Sequence, residues 1–295
     1  MARHADDAAV FGGMGAAYLD AQYDVEQSVP DFQAYIRDYT ARSDAVRSRL
    51  DCRLNVAYGA GERQQLDVFP AQSPGSPVNI FIHGGSWRGS SKDSRSFPAE
   101  AVVPAGGAWI AINYGLAPAV TLPEIVHQIR QAVQWVWQHA RSFNADPERI
   151  FVTGNSAGGH LAAMLAVEGW QSDYGLPSDV VKGICPISGI FDMRPICHTG
   201  INDSLRMSPG TAESCSPVLH LPKQACPAVI MCGGDEPAEF QRQSVEFSEA
   251  WRQAGLTVAD EAIIAGENHF SIVGGLGDAR HPLGRAMLKL MGLAP

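Results

Sequence analysis

No hydrophobic run in this sequence could cross a bilayer: apolar stretches such as Ala225 to Cys232 fall far short of the roughly 20 residues a spanning helix needs. Cysteine pairs at C-x-x-C spacing are missing too. The six cysteines (Cys52, Cys185, Cys197, Cys215, Cys226, Cys232) are scattered, which argues against a zinc site, and Cys185 and Cys232 read as small core fillers inside strands. No H-E-x-x-H motif or comparable ligand cluster occurs, so neither a metal nor another cofactor is expected. Basic residues are few, 22 Lys and Arg against 31 Asp and Glu, and the net charge of −9 repels nucleic acid and anionic membranes as partners. Met1 to Asp20 has early acids and no continuous apolar core, unlike a secretory leader, so a cytoplasmic location with reduced thiols is expected. Repeats and low-complexity tracts are absent. With 45% apolar and 18% charged residues, the 295-residue chain has the make-up of a packed α/β unit, expected as one domain over 1–295.

What is present is a run of strand, turn and helix signals. Residues 16–50 carry apolar positions at helical spacing around Tyr18, Leu19, Tyr23, Phe32, Tyr35, Ile36 and Val46, broken by Pro30. They predict a two-piece helical extension (about 1–50) packed over one end of the core. Strands are predicted at 54–58, 65–69, 78–82, 108–114, 150–154, 181–187, 228–232 and 257–265, and helices at 123–142, 157–165, 240–254 and 281–291. Alternating strands and helices imply a mostly parallel sheet with right-handed crossovers and helices on both faces. Between 191 and 227 the periodicity is lost among prolines 195, 209, 217 and 222, and an irregular cap or pocket wall is expected there. His198 and His220 are assigned to the surface or cap.

Four strand ends carry chemistry. Gly154-Asn155-Ser156-Ala157-Gly158 is a G-x-S-x-G turn between an apolar strand and an alanine-rich helix, the arrangement of an α/β-hydrolase nucleophile elbow with Ser156 at the bend. His83-Gly84-Gly85-Ser86-Trp87 follows the 78–82 strand. Its two glycines leave backbone N–H groups of Gly84 or Gly85 free to act, with that of Ala157, as an oxyanion hole; His83 is read as a loop brace and Trp87 as pocket wall. Late in the chain stand Asp235, Glu236 and then His269. The order serine, acid, histidine is that of the α/β-hydrolases. The spacing Gly233-x-x-Glu236 favours Glu236 as the acid, with Asp235 the alternative.

With these motifs together, the chain resembles the arylformamidase (kynurenine formamidase) branch of the α/β-hydrolases. The resembling stretches are His83 to Trp87, Asn113 to Pro118, Gly154 to His160, Glu236 to Ser244 and His269-Phe270, with Leu19 to Tyr23 similar as well. The resemblance implies an α/β-hydrolase fold and a catalytic triad of Ser156, Glu236 and His269. It also implies a small-molecule substrate, an aryl formamide such as N-formylkynurenine, in a pocket bordered by Trp87, Asn155 and Tyr23. The chain departs from it at Asn155, where relatives often carry histidine, and at Gly115, where related esterases often carry a bulkier residue. A general short-chain carboxylesterase is the alternative enzyme, and a binding protein that keeps the fold without the reaction is the alternative outside enzymes. The sequence leaves a homodimer open.

Overall fold

The computed structural model describes residues 8–167 and 169–294; residues 1–7 of the expected N-terminal extension, Glu168 and Pro295 lie outside them. A small antiparallel pair, β1 (Ala9–Phe11) and β2 (Met14–Gly15), opens the chain and was not foreseen. Helices α1 (Ala16–Tyr23) and α2 (Phe32–Arg49) follow as the two expected pieces on either side of Pro30. The main sheet then begins with β3 (Arg53–Ala57), β4 (Gln65–Phe69), β5 (Ser76–Ile82) and β6 (Ala108–Ile112), with the short α3 (Ala99–Val102) before β6. Next come α4 (Leu122–His139), β7 (Ala145–Asn155), α5 (Ala157–Met164) and β8 (Val181–Ile187). Short helices α6 (Asn202–Leu205) and α7 (Pro209–Ser214) interrupt the irregular stretch. The chain closes with β9 (Ala228–Gly233), α8 (Ala238–Gln253), β10 (Val258–Ile264), α9 (Ser271–Gly274) and α10 (Pro282–Leu290).

Eight strands form one sheet in the order β10-β9-β8-β7-β5-β6-β4-β3. From β6 to β10 all pairings are parallel, while β4 pairs antiparallel with both β6 and β3. The side-chain period of two splits the core between the faces. Val78, Ile80 and Ile82 of β5 enter one apolar cluster and Phe81 the other; Ala108, Ile110 and Ile112 of β6 likewise oppose Trp109. Helices α4, α5 and α8 cover the first face, and α2, α3, α9 and α10 the second. In α4 the buried residues Ile125, Ile129, Ala132, Val133 and Val136 recur at helical spacing, and Thr121 caps its start by accepting from the Glu124 N–H. The α-helix ends at His139 and tightens into a 3₁₀ turn over Ala140–Phe143, after which Asn144, at a left-handed φ of 64°, leads into β7. That strand is longer than the expected 150–154, since Ala145 to Arg149 form its first part.

Candidate active site

The parallel strands all point their carboxyl ends to one edge of the sheet, where ligands of open α/β sheets sit. Ser156 stands at the end of β7 with φ 57° and ψ −121°. A non-glycine residue rarely adopts such a φ, and it is held here by its N–H donating to the Ile187 carbonyl at 2.8 Å and by the start of α5 behind it. The turn is possible only because Gly158 has no side chain: a Cβ there would lie 2.0 Å from the Ile82 carbonyl oxygen. Ala157 is the first residue of α5, so its N–H has no intrahelical acceptor and remains at the helix N-terminus beside Ser156.

Across from the elbow runs the loop after β5. A Cβ on Gly84 would meet the Asn155 carbonyl oxygen at 2.8 Å and the Ser156 Cβ at 3.0 Å, so only glycine lets the two turns touch. The Gly84 N–H donates to Asn155 Oδ1 at 3.3 Å, which leaves the Gly85 N–H as the uncommitted one of the pair among the described residues. His83 is fully buried, its Nδ1 donates to the Gly84 carbonyl at 2.7 Å and its ring stacks on Tyr114 at 4.4 Å. Burial pushes its pKa down to about 3, so it stays neutral and braces the loop as expected.

Trp87 is not pocket wall. Its indole is completely buried, and Nε1 donates to His160 Nδ1 on α5 at 3.1 Å. The backbone of Gly85, at φ 108°, accepts from the N–H groups of Arg88 and Gly89 and so turns the indole inward, where both its area and its N–H are satisfied. His160 Nε2 in turn donates to the Cys215 carbonyl at 2.8 Å. An indole only donates and a carbonyl only accepts, so His160 must be the neutral Nε2–H tautomer. Burial lowers its pKa from 6.5 to about 4. The unfolded chain therefore takes up this proton first as pH falls: the stability is complete above about pH 6.5 and drains away as pH approaches the folded value. Urea unfolding at pH 7.5 and 4.5 should show a loss on the order of 2 to 3 kcal/mol from this residue. His160→Gln should lose correspondingly less between the two pH values, and an equal loss would contradict the assignment.

The acid and histidine meet as a buried pair. Glu236 Oε2 lies 2.6 Å from His269 Nδ1, and its other oxygen accepts from the Ser188 hydroxyl at 2.5 Å and the Gly233 N–H at 2.6 Å. Burial alone would raise the Glu236 pKa, but His269, the Ser188 hydroxyl and the Gly233 N–H outweigh it and hold the carboxyl below its ordinary value. Asp235 is exposed, and its N–H is bonded to the Glu267 carbonyl. Ser188, at the carboxyl end of β8, had no role in the sequence reading; its one signal is its place after a buried parallel strand.

Ser156, His269, Asn155, Gly84 and Gly85 line one cavity of about 1210 Å³. The Glu236–His269 pair is formed, whereas among the described residues no hydrogen bond joins the Ser156 hydroxyl to the His269 ring. Tyr23 also lines the cavity, but its hydroxyl is turned to α8, donating to Glu239 at 3.1 Å and accepting from Gln243 at 2.7 Å. It borders the pocket and ties α1 to the sheet domain at once. Most of the outer wall comes from residues 20–39 of the helical extension, while the 191–227 stretch supplies only Gly200 and Ile201. The expected cap is thus chiefly the N-terminal segment, because Asp20 accepts from the Gly200 N–H and α1 and α2 lie across the strand ends. No three His, Cys, Asp or Glu side chains converge as metal ligands among the described residues.

Comparison with known proteins places this geometry. Residues 66–251 match the BD-FAE family model. The chain is 31% identical to the kynurenine formamidase of Danio rerio over 283 residues, covering 93% of this chain and 94% of that one. It belongs to the kynurenine formamidase-like branch of the α/β-hydrolases. Members and neighbours of that superfamily vary in what they cleave: esterase LipQ of Mycobacterium tuberculosis is 28% identical over 73% of this chain and 56% of its own. Among solved structures, a Silicibacter protein assigned as a thioesterase superposes with a TM-score of 0.80 at 29% identity, covering 91% of this chain and 98% of that one. The Pyrobaculum calidifontis esterase shares the fold at a TM-score of 0.67 and 16% identity, over 90% and 94% of the two chains. The kynurenine formamidase-like chain is a hydrolase with the α/β-hydrolase fold.

Proposed function

We propose that this hydrolase cleaves small aromatic amides or esters through a serine acyl-enzyme, with an aryl formamide of the N-formylkynurenine type as substrate. The observation that carries the reading is the buried 2.6 Å pair of Glu236 and His269, whose imidazole lines the same cavity as the strained elbow serine. Ser156 Oγ attacks the formyl carbon, and His269 takes the hydroxyl proton and returns it to the departing aryl amine. Glu236 holds the ring with Nδ1 protonated and Nε2 free to accept, and stabilises the imidazolium that forms. The formyl-enzyme is then hydrolysed by water with His269 as base again, releasing formate. Gly85 and Ala157 donate their N–H groups to the tetrahedral oxyanion, each worth roughly 3 to 4 kcal/mol in comparable sites. Asn155 holds Gly84 so that the loop keeps this geometry.

The formamide assignment draws support from the relative named kynurenine formamidase, and a short-chain carboxylesterase reading from the resemblance to LipQ. Both need the same machinery, so the discriminating measurement is kcat/KM for N-formylkynurenine against that for an aryl acetate. The formamide is expected to be the better substrate. A large preference for the acetate would defeat the formamidase reading and leave the serine mechanism standing.

A further inference from the structure

The cavity wall holds a charge that the chemistry above does not use. Arg95 lines the same cavity as Ser156 and His269, and only 4% of its surface is exposed. Its guanidinium lies over the Tyr39 ring at 5.0 Å. Nη1 donates to the Ser94 carbonyl at 3.1 Å and the Ser94 hydroxyl at 2.7 Å, while Nε is buried with no partner. Among the described residues no carboxylate pairs with it. The titratable groups that act on it, Tyr39 and Tyr114, are phenols whose burial raises their pKa, so they stay neutral. The other deeply buried cation, Lys92, is treated differently by the fold: Asp67 meets it at 2.8 Å. A guanidinium taken out of water loses hydration that an anion would repay, and the described residues supply none to Arg95. Acids do line the cavity, at Asp20, Asp24 and Glu26, but they stand exposed on the extension, where water and salt screen them.

We propose that Arg95 is a specificity-determining residue that pairs with a carboxylate on the substrate, so that the site selects aryl amides or esters carrying an acidic tail. This rests on the serine-hydrolase reading of the same cavity. The planar fork of a guanidinium matches a carboxylate with two parallel hydrogen bonds.

The test uses two matched pairs of substrates, N-formylkynurenine with its counterpart lacking the carboxylate, and an aryl acetate with and without a carboxylate on its tail. In the wild type the charged member of a pair should be favoured by about 100-fold in kcat/KM, chiefly through KM. Arg95→Gln should collapse that preference to within about threefold of unity, and Arg95→Lys should retain part of it. Absence of the preference in the wild type, or its persistence in Arg95→Gln while both members slow in parallel, overturns the proposal. Should the variants fold poorly, calorimetry on the wild type decides: the aryl amino acid product should bind about 100-fold more tightly than its carboxamide, and equal affinities overturn the assignment. Poor turnover of both formamides beside rapid turnover of the acetates would sink the formamidase reading alone, since the acetate pair still reports on Arg95.

Discussion

Replacing Ser156 with alanine is expected to lower kcat by about 10⁵- to 10⁶-fold, the scale on which serine hydrolases lose activity with their nucleophile. The effect is large because nothing near the elbow can substitute. The oxyanion donors would still polarise the carbonyl, but no covalent intermediate could form, and the residue left would be binding and electrostatic stabilisation alone. Alanine keeps the Cβ and the same backbone demands as serine at φ 57°, so the thermal midpoint should change little. A fluorophosphonate probe should label the wild type and not the variant. Activity retained above about 1% in a homogeneous sample would show that another group attacks the substrate.

Glu236→Gln should cost about 10³- to 10⁴-fold in kcat, with Asp235→Asn within a few-fold of the wild type. Three donors converge on the Glu236 carboxylate: the His269 ring, the Ser188 hydroxyl and the Gly233 N–H. A glutamine has one acceptor oxygen and an NH₂ that can only donate, so it cannot satisfy both sides. If its oxygen stays with Ser188 and Gly233, the NH₂ faces His269 and forces the tautomer with Nε2 protonated, which cannot accept the serine proton. If the amide turns the other way, the NH₂ opposes two buried donors and the strand end is strained. Asp235 is spared because it is exposed and committed only through its backbone. Equal losses in the two variants, or a larger one in Asp235→Asn, would move the acid assignment.

The parts of the site that could be read in the sequence are those with a local cause. Gly154 and Gly158 flank Ser156 because the elbow brings α5 against β5, and a Cβ at Gly158 has no room. Gly84 and Gly85 follow a buried strand for a similar reason of close approach. Strands such as Val181–Ile187 were legible to the residue because they are buried on both faces and bounded by turn residues. Trp87 was misread since a lone aromatic beside a glycine pair fits a pocket wall and a core equally well; the sense of the Gly85 turn decides between them. The cap was misplaced because irregular composition at 191–227 signals the absence of regular helices, and says nothing about which segment lies over the strand ends. Ser188 and Arg95 went unnoticed for a related reason. Ser188 bonds Glu236, far away in the chain, and Arg95 lies over Tyr39 with no carboxylate partner among the described residues, relations of which one-dimensional spacing carries no trace.

What the sequence determined by itself is the set of local conformations: a parallel α/β chain, a serine at a glycine-flanked bend, a glycine pair after a strand, and a late histidine. These follow from side-chain size, backbone freedom and apolar period, all of which act within a few residues. The spacing after Gly233 favoured Glu236 over Asp235, and the tertiary structure decided between these neighbours by the direction in which the chain leaves β9. It also decided that the Gly84 N–H is held by Asn155, that Trp87 binds His160 in the core, and that the helical extension walls the cavity beside an unpaired Arg95. Those outcomes depend on contacts between segments 30 to more than 200 residues apart, such as His269 with Glu236 and Tyr23 with Glu239, and only folding brings such pairs within hydrogen-bond reach.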